Sequence, residues 1–173
     1  GSLRPQLAAG IHSMALDANG KLMTWGSDSY GQLGTGRVVQ SATPRAAAAG
    51  PFTKVAAGVG HSLALRSDGT LWAWGWNGSG ALGDGTLLNR SNHVRVGRDT
   101  DWVSVAAGSG HTVALKSNGT LWAWGANYSG QLGDGTLTDR HVPAQVSQAN
   151  GWIALAVGSS HTVALKFDGT MWA

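Results

Sequence analysis

Apolar and polar positions along this chain repeat with a long period and alternate in short runs inside each period, so the pattern predicts β-strands and no helices. The run Lys54-Val-Ala-Ala-Gly58 returns as Ser104-Val-Ala-Ala-Gly108 and Ala154-Leu-Ala-Val-Gly158, with Gln6-Leu-Ala-Ala-Gly10 as a first copy, at offsets of 48, 50 and 50 residues. A histidine follows each run (His12, His61, His111, His161), and 13 residues beyond the first three stands a Trp-Gly pair: Trp25-Gly26, Trp74-Gly75 and Trp124-Gly125. Within one period, His111-Thr-Val-Ala-Leu-Lys116 and Thr120-Leu-Trp-Ala-Trp124 predict two strands joined by Ser117-Asn118-Gly119, whose glycine suits a positive φ. The same turn chemistry recurs at Ala18-Asn19-Gly20, Ser67-Asp68-Gly69 and Phe167-Asp168-Gly169. Val103 to Ala107 supplies a third strand and His141-Val-Pro-Ala-Gln-Val146 a fourth, where Pro143 favours an edge because it has no N–H to give the ladder.

Both faces of these strands are apolar or small: Val113, Leu115, Trp122 and Trp124 alternate with Ala114, Leu121 and Ala123. A sheet of this kind has to be covered on both sides. Stacked copies in a β-propeller do that, each blade burying its faces against its neighbours, with small residues such as Ala106-Ala107-Gly108 fitting the crowded inner edge. The predicted fold is therefore all-β, with propeller blades of four antiparallel strands and about three and a half repeats. Residues 1–5 form a lead-in, opened by Gly1-Ser2, which reads as a cloning remnant. Repeat 1 spans 6–53, repeat 2 54–103, repeat 3 104–153 and a partial repeat 4 154–173, together one partial propeller domain expected to be a piece of something longer.

Composition agrees with strands and narrows the chemistry. Charged residues are only 12% of the chain, while 27 glycines and 9 tryptophans supply turns and large flat side chains. Twelve Lys and Arg against nine Asp and Glu leave a net charge of +3, scattered singly, which argues against nucleic acid as the partner. Cysteine is absent, so disulfides, thiol catalysis and thiolate metal sites are excluded. No apolar run approaches the roughly 18 residues of a membrane helix, and no membrane insertion is expected.

Four motifs recur in fixed order: Val-Ala-Ala-Gly, then His-Thr-Val-Ala-Leu, then Asp/Asn-Gly-Thr-Leu-Trp-Ala-Trp-Gly, then Asn127-Tyr-Ser-Gly-Gln-Leu-Gly-Asp-Gly-Thr136. In these the chain resembles the regulator of chromosome condensation repeat family, which implies a propeller, typically of about seven blades. The first copy departs, with Lys21-Leu-Met-Thr-Trp25, Gly34-Thr-Gly36 and one residue fewer before His12. The Trp-Ala-Trp-Gly form and the low charge look more like bacterial members, which favours a secreted or cell-surface location over a cytoplasmic one. The resemblance implies a protein-interaction scaffold that binds a protein partner and is not an enzyme. Guanine-nucleotide exchange on a small GTPase and inhibition of an enzyme such as a β-lactamase stay open as alternatives, because a shared fold fixes no single activity.

The candidate residues divide into scaffold and surface. His12, His61, His111 and His161 occur once per repeat and so belong to different blades rather than to one metal; each ring is expected to bond backbone in the adjacent Gly-rich loop. Trp25, Trp74 and Trp124 are structural positions, and Trp72, Trp74, Trp122 and Trp124 are expected to pack between blades. Gly78-Ser-Gly80-Ala-Leu-Gly83 matches a dinucleotide fingerprint only formally, since no helix follows it. Asp84 and Asp134 suit turn capping better than calcium, and four formal glycosylation triplets carry no weight in a Gly/Asn-rich repeat. No metal, cofactor or catalytic cluster is expected.

Partners are read by loops where the copies disagree. That selects Tyr30, Trp76 and Tyr128 after the Trp-Gly pairs, and Arg37, Arg90 and Arg140 after Gly-Thr or its first-copy counterpart, as partner-binding residues. Blade faces left open at either end are expected to drive self-association, with two chains together supplying about seven blades as a homodimeric ring.

Overall fold

The computed structural model describes residues 5–47 and 50–173, so Gly1-Ser2 of the lead-in lies outside the described residues. Four antiparallel sheets follow one another along the chain. The first contains β1 (Gln6–Ala9), β2 (His12–Leu16), β3 (Leu22–Gly26) and β4 (Ser41–Ala46); the second contains β5 (Phe52–Ala57), β6 (His61–Arg66), β7 (Leu71–Gly75) and β8 (Arg90–Arg95). The third is built from β9 (Trp102–Ala107), β10 (His111–Lys116), β11 (Leu121–Gly125) and β12 (Arg140–Gln145), and the last from β13 (Trp152–Val157), β14 (Thr162–Lys166) and β15 (Met171–Trp172). Strands neighbour one another in chain order, so each sheet is a meander, and there is no helix among the described residues. Pro143 sits on the outermost strand β12, where a missing N–H leaves no gap in the ladder.

The hairpins close as their turn residues dictate. Gly69 and Gly119 hold φ of 76°, a left-handed conformation that a side chain would strain. The preceding Asp68 or Asn118 accepts the N–H and hydroxyl of the next threonine, and that hydroxyl in turn accepts the indole N–H of Trp72 or Trp122 at 2.9 Å. One short motif thus fixes the turn and the rotamer of the first strand tryptophan. Lys116 Nζ then lies over the Trp122 and Trp102 rings, 4.5 and 4.8 Å from their centroids, and Arg66 covers Trp72 in the same manner.

The sheets stack face to face as blades, with β1, β5, β9 and β13 side by side along the inner edge. Register assigns the faces. Ser62 pairs with Trp74 and Ala64 with Trp72, whereas Leu63 pairs with Ala73 and Leu65 with Leu71, so the tryptophans look back to the preceding blade and the aliphatic residues look forward. Trp74 accordingly packs with Met14, Leu16 and Leu22 of the first sheet, and Trp124 with Leu63, Leu71 and Leu82 of the second. Both indoles are fully buried, and truncating either to alanine costs about 3–5 kcal/mol on the scale of large core deletions. Trp25, in the first sheet, has no blade packed behind it among the described residues and is only half-buried.

The histidines tie consecutive blades together by a route the sequence reading did not reach. His12 Nε2 lies 2.6 Å from Ser62 Oγ in the next blade, and the Ser62 hydroxyl donates to Gln32 O at 2.8 Å. With its hydrogen so committed, the hydroxyl accepts from His12, which sets the tautomer with the proton on Nε2. The relay repeats as His61 to Thr112 to Ala81 O, and as His111 to Thr162 to Gln131 O. The same carbonyls of Gln32 and Ala81 also accept the indole N–H of Trp74 and Trp124, at 2.8 and 2.9 Å. The ring partner is therefore a hydroxyl of the following blade and not the backbone of the adjacent Gly-rich loop. Burial lowers the pKa of His12 and His111 to about 4 each, and that of His61 to about 3, with the neighbouring His12 and His111 adding to the burial at His61. All three rings are neutral at physiological pH.

Candidate protein-binding rim

In a meander, alternate connections leave the same end of the sheet. The long loops 27–40, 76–89 and 126–139 therefore share one end with the short turns 10–11, 58–60, 108–110 and 158–161, while the Asp/Asn-Gly hairpins lie at the other. Each long loop is braced from inside by one buried side chain. Asn77 accepts the Leu82 N–H with Oδ1 and donates Nδ2 to the carbonyls of Thr86 and Leu88 and to Asp84 Oδ1. Asn127 does the same one blade on. In the first blade Asp28 takes this place and, having no N–H to give, accepts from Leu33 and Val39 instead, at 2.9 and 2.7 Å.

Asp84 and Asp134 cap these loops. Asp84 Oδ1 accepts the N–H and hydroxyl of Thr86 at 2.9 and 2.7 Å, and Oδ2 receives the guanidinium of Arg90 at 2.9 Å. Asp134 holds Thr136 and Arg140 alike, with the Arg140 ion pair at 2.8 Å. Partial burial works against ionisation of both carboxyls, yet the hydrogen bonds from threonine, arginine and asparagine hold them below the usual carboxylate range. Arg90 and Arg140 thus spend their charge inside their own loops. Arg37 is exposed and, among the described residues, makes no ion pair; Thr35 stands where the later loops carry the aspartate.

The three aromatics occupy different repeat positions but arrive at equivalent places. Tyr30 reaches the Gly60 turn of the second blade, where a Cβ on that glycine would sit 3.2 Å from Tyr30 Cδ2. Trp76 covers Gly110 of the third blade, with Cζ3 3.0 Å from the same imagined atom, and the Tyr128 hydroxyl lies 3.2 Å from Ser160 Oγ of the fourth. Each bridges to the following blade close to the inner strands, and Tyr128 still leaves 66% of its surface exposed. The structure brings these aromatics and the three arginines to one end.

Sequence reasoning missed the apolar half of this end. Val38, Val39, Leu87, Leu88 and Leu137 are exposed just before the outermost strand of each complete blade, Leu88 at 63% and Leu137 at 69%. The signal was an aliphatic residue directly after Gly-x-Gly-Thr or Gly-x-Gly-Arg in a loop, where nothing in the fold buries it. No group of three or more metal-ligating side chains gathers among the described residues.

Comparison with known proteins gives these features a setting. A family model described as Regulator of chromosome condensation (RCC1) repeat matches residues 19–65, 68–115 and 118–165, and a second model of the same description matches 52–81 and 102–131. No curated protein matches. The crystal structure of human WBSCR16 superposes with a TM-score of 0.84 at 28% identity, covering 93% of this chain and 44% of that one. Yeast RCC1 (Prp20), in complex with Kap60, gives 0.86 at 25% identity over 99% and 43% of the two chains. Prp20p from Saccharomyces cerevisiae, described with its binding to Gsp1p and histones, gives 0.83 at 27% over 92% and 42%. The chain spans less than half the length of these relatives.

Proposed function

The chain belongs to the regulator of chromosome condensation repeat family, and from that premise we propose that it is a non-catalytic protein-interaction module gripping a protein partner through the end formed by loops 27–40, 76–89 and 126–139. The carrying observation is the apolar side chains left in water at the same loop of three successive blades, beside Tyr30 and Tyr128. Exposed aliphatic and aromatic groups on loops held rigid by Asn77, Asn127 and Asp28 can be desolvated by a partner without first being ordered. The relatives whose binding is described, Prp20 with Kap60 and Prp20p with Gsp1p and histones, support a protein as the partner class.

The test is affinity capture of partners by the immobilised chain, compared with a Leu87→Ser, Leu88→Ser, Leu137→Ser variant and with Phe167→Ser, which removes an exposed ring at the opposite end. The triple variant is expected to lose at least about tenfold in affinity for the captured partner, and Phe167→Ser to lose nothing. Equal retention by both refutes the reading.

Nucleotide exchange on a small GTPase is the second reading, supported by the likeness to Prp20p. Faster release of labelled GDP from a candidate GTPase, abolished in the triple variant, would establish it over simple scaffolding. A second copy of the chain is proposed to cover the outer faces of the end blades, Ala15, Met23 and Trp25 at one and Val163, Leu165 and Met171 at the other.

A further inference from the structure

Asparagine followed directly by glycine occurs at Asn19-Gly20, Asn77-Gly78, Asn118-Gly119 and Asn150-Gly151. The pair is labile in water, because glycine carries no side chain to keep its nitrogen away from the amide carbon of the asparagine before it. Reaction needs that carbon free to swing back and that nitrogen free of other bonds, and the fold treats the four pairs differently.

Asn77 is fully buried and spends its amide on Leu82, Asp84, Thr86 and Leu88 inside the rim loop. Asn118 Oδ1 is fixed by the Thr120 N–H at 3.1 Å and the Thr120 hydroxyl at 2.7 Å, and the Gly119 N–H is engaged with Lys116 O at 3.0 Å. In the first hairpin Lys21 replaces that threonine, and Asp17 Oδ1 accepts the N–H groups of Asn19 and Lys21 instead. The Asn19 side chain is thereby released, but the Gly20 N–H stays on Asp17 O at 3.1 Å. Asn150, in the loop 146–151 between β12 and β13, differs from all three. It is exposed, and among the described residues neither its amide nor the Gly151 N–H makes a hydrogen bond.

The space around the glycines separates them in the same way. A Cβ on Gly20 would fall 2.9 Å from Phe52 O, one on Gly78 2.6 Å from Trp76 Cζ2 and one on Gly119 2.9 Å from Gly151 N, whereas one on Gly151 meets nothing within 4 Å. Thr100 holds the place of Asn150 one blade earlier, with a further blade packed beyond it, and is exposed as well. The openness therefore belongs to the position in the repeat.

We propose that Asn150 is a self-modification site, at which the Gly151 nitrogen attacks the Asn150 side-chain carbon and closes a cyclic imide. The N–Cγ bond forms, the Cγ–Nδ2 bond breaks, and ammonia leaves with the proton that Gly151 gives up. Water then adds to a carbonyl of the imide. Opening at the side-chain carbonyl gives aspartate; opening at the main-chain carbonyl gives isoaspartate, whose backbone runs through the former side chain and is longer by a methylene. The segment so lengthened joins the last two blades: Gly151 O accepts the Phe167 N–H at 2.8 Å, and the Trp152 N–H donates to Gly119 O at 3.1 Å. Isoaspartate strains both bonds, whereas aspartate changes only the charge. The loop lies at the hairpin end of the blades, so the inference stands apart from the rim reading.

The test incubates the whole chain in mildly alkaline buffer made with heavy-oxygen water and follows all four pairs by peptide mass mapping, with a parallel sample unfolded in urea. In the folded chain Asn150 is expected to convert at least about tenfold faster than Asn19, Asn77 or Asn118, each of which must first give up a hydrogen bond, and its product should carry the heavy oxygen. In urea the four rates should converge. Thr120→Val, which takes the hydroxyl away from Asn118, should raise the Asn118 rate toward that of Asn19, and Asn150→Gln should remove the fast phase. Hydrogen exchange of the isoaspartyl form should show the Phe167 and Trp152 amides losing protection. If Thr120→Val does not fold, the comparison of folded with unfolded chain decides. An intact Asn150 in folded chain when the unfolded sample has reacted, equal rates at Asn150 and Asn118 in the folded chain, or a rate order that urea leaves unchanged would each overturn the inference.

Discussion

At the scale of single residues the molecule depends on neutral histidines. His12, His61 and His111 act as N–H donors from inside the stack, and a protonated ring there would be a buried charge without a counterion. Their folded pKa values lie well below the roughly 6.5 of an exposed imidazole. The stability they confer is therefore complete above about pH 6.5 and drains away as the unfolded chain takes up protons between there and about pH 4. For His12 alone the loss is of the order of 3 kcal/mol. Thermal unfolding followed by circular dichroism should show a flat midpoint from pH 7 to 8 and a steep fall from pH 6 to 4.5; a flat profile through pH 4.5 would remove this role. Trp124→Ala should lower stability by about 3–5 kcal/mol in urea titrations, and Trp25→Ala by far less, because Trp124 is fully buried against the second sheet and Trp25 is only half-buried. The once-per-repeat spacing of the histidines was legible in the sequence. Their partners were not: Ser62, Thr112 and Thr162 belong to the next copy, and a reading within one repeat sees no contact made across about 50 residues of sequence.

At the scale of elements the sequence was most informative where turn chemistry and alternation agree. The hairpins at Gly69 and Gly119 and the double-Trp strands stand where the pattern put them, because an Asp/Asn-Gly-Thr turn admits little else. Replacing Gly119 by alanine keeps the side chain small but forces a φ of 76° on it, so a loss of about 1–2 kcal/mol is expected in equilibrium unfolding, against no loss for Gln148→Ala in the loop between β12 and β13. The first strands of the later blades were harder. They begin at Phe52, Trp102 and Trp152, ahead of the apparent Val-Ala-Ala core, and each contains a register shift one or two residues in. The bulge breaks strict alternation and hides the strand start, although the 50-residue spacing of three buried aromatics was there to be read.

At the scale of the whole molecule, stacking of two-sided apolar sheets follows from the sequence, since strands such as Leu121–Gly125 need cover on both faces and the repeat offers no helical pattern to supply it. The exposed aliphatic rim does not follow, because periodicity describes what a repeat buries and is silent about loop residues that the fold leaves in water. The outer face of the last blade, with Met171 at 73% exposure and Val163 and Leu165 half-buried, is expected to make the isolated chain associate. Multi-angle light scattering should return a mass near twice 17.7 kDa at micromolar concentration, and a monomer that survives concentration would contradict it. The central proposal is that a partner binds one end of the blades, and hydrogen exchange of the chain with and without its captured partner measures this directly. Protection is expected across 27–40, 76–89 and 126–139, and protection centred instead on the hairpin turns 67–70 and 117–120 would contradict it.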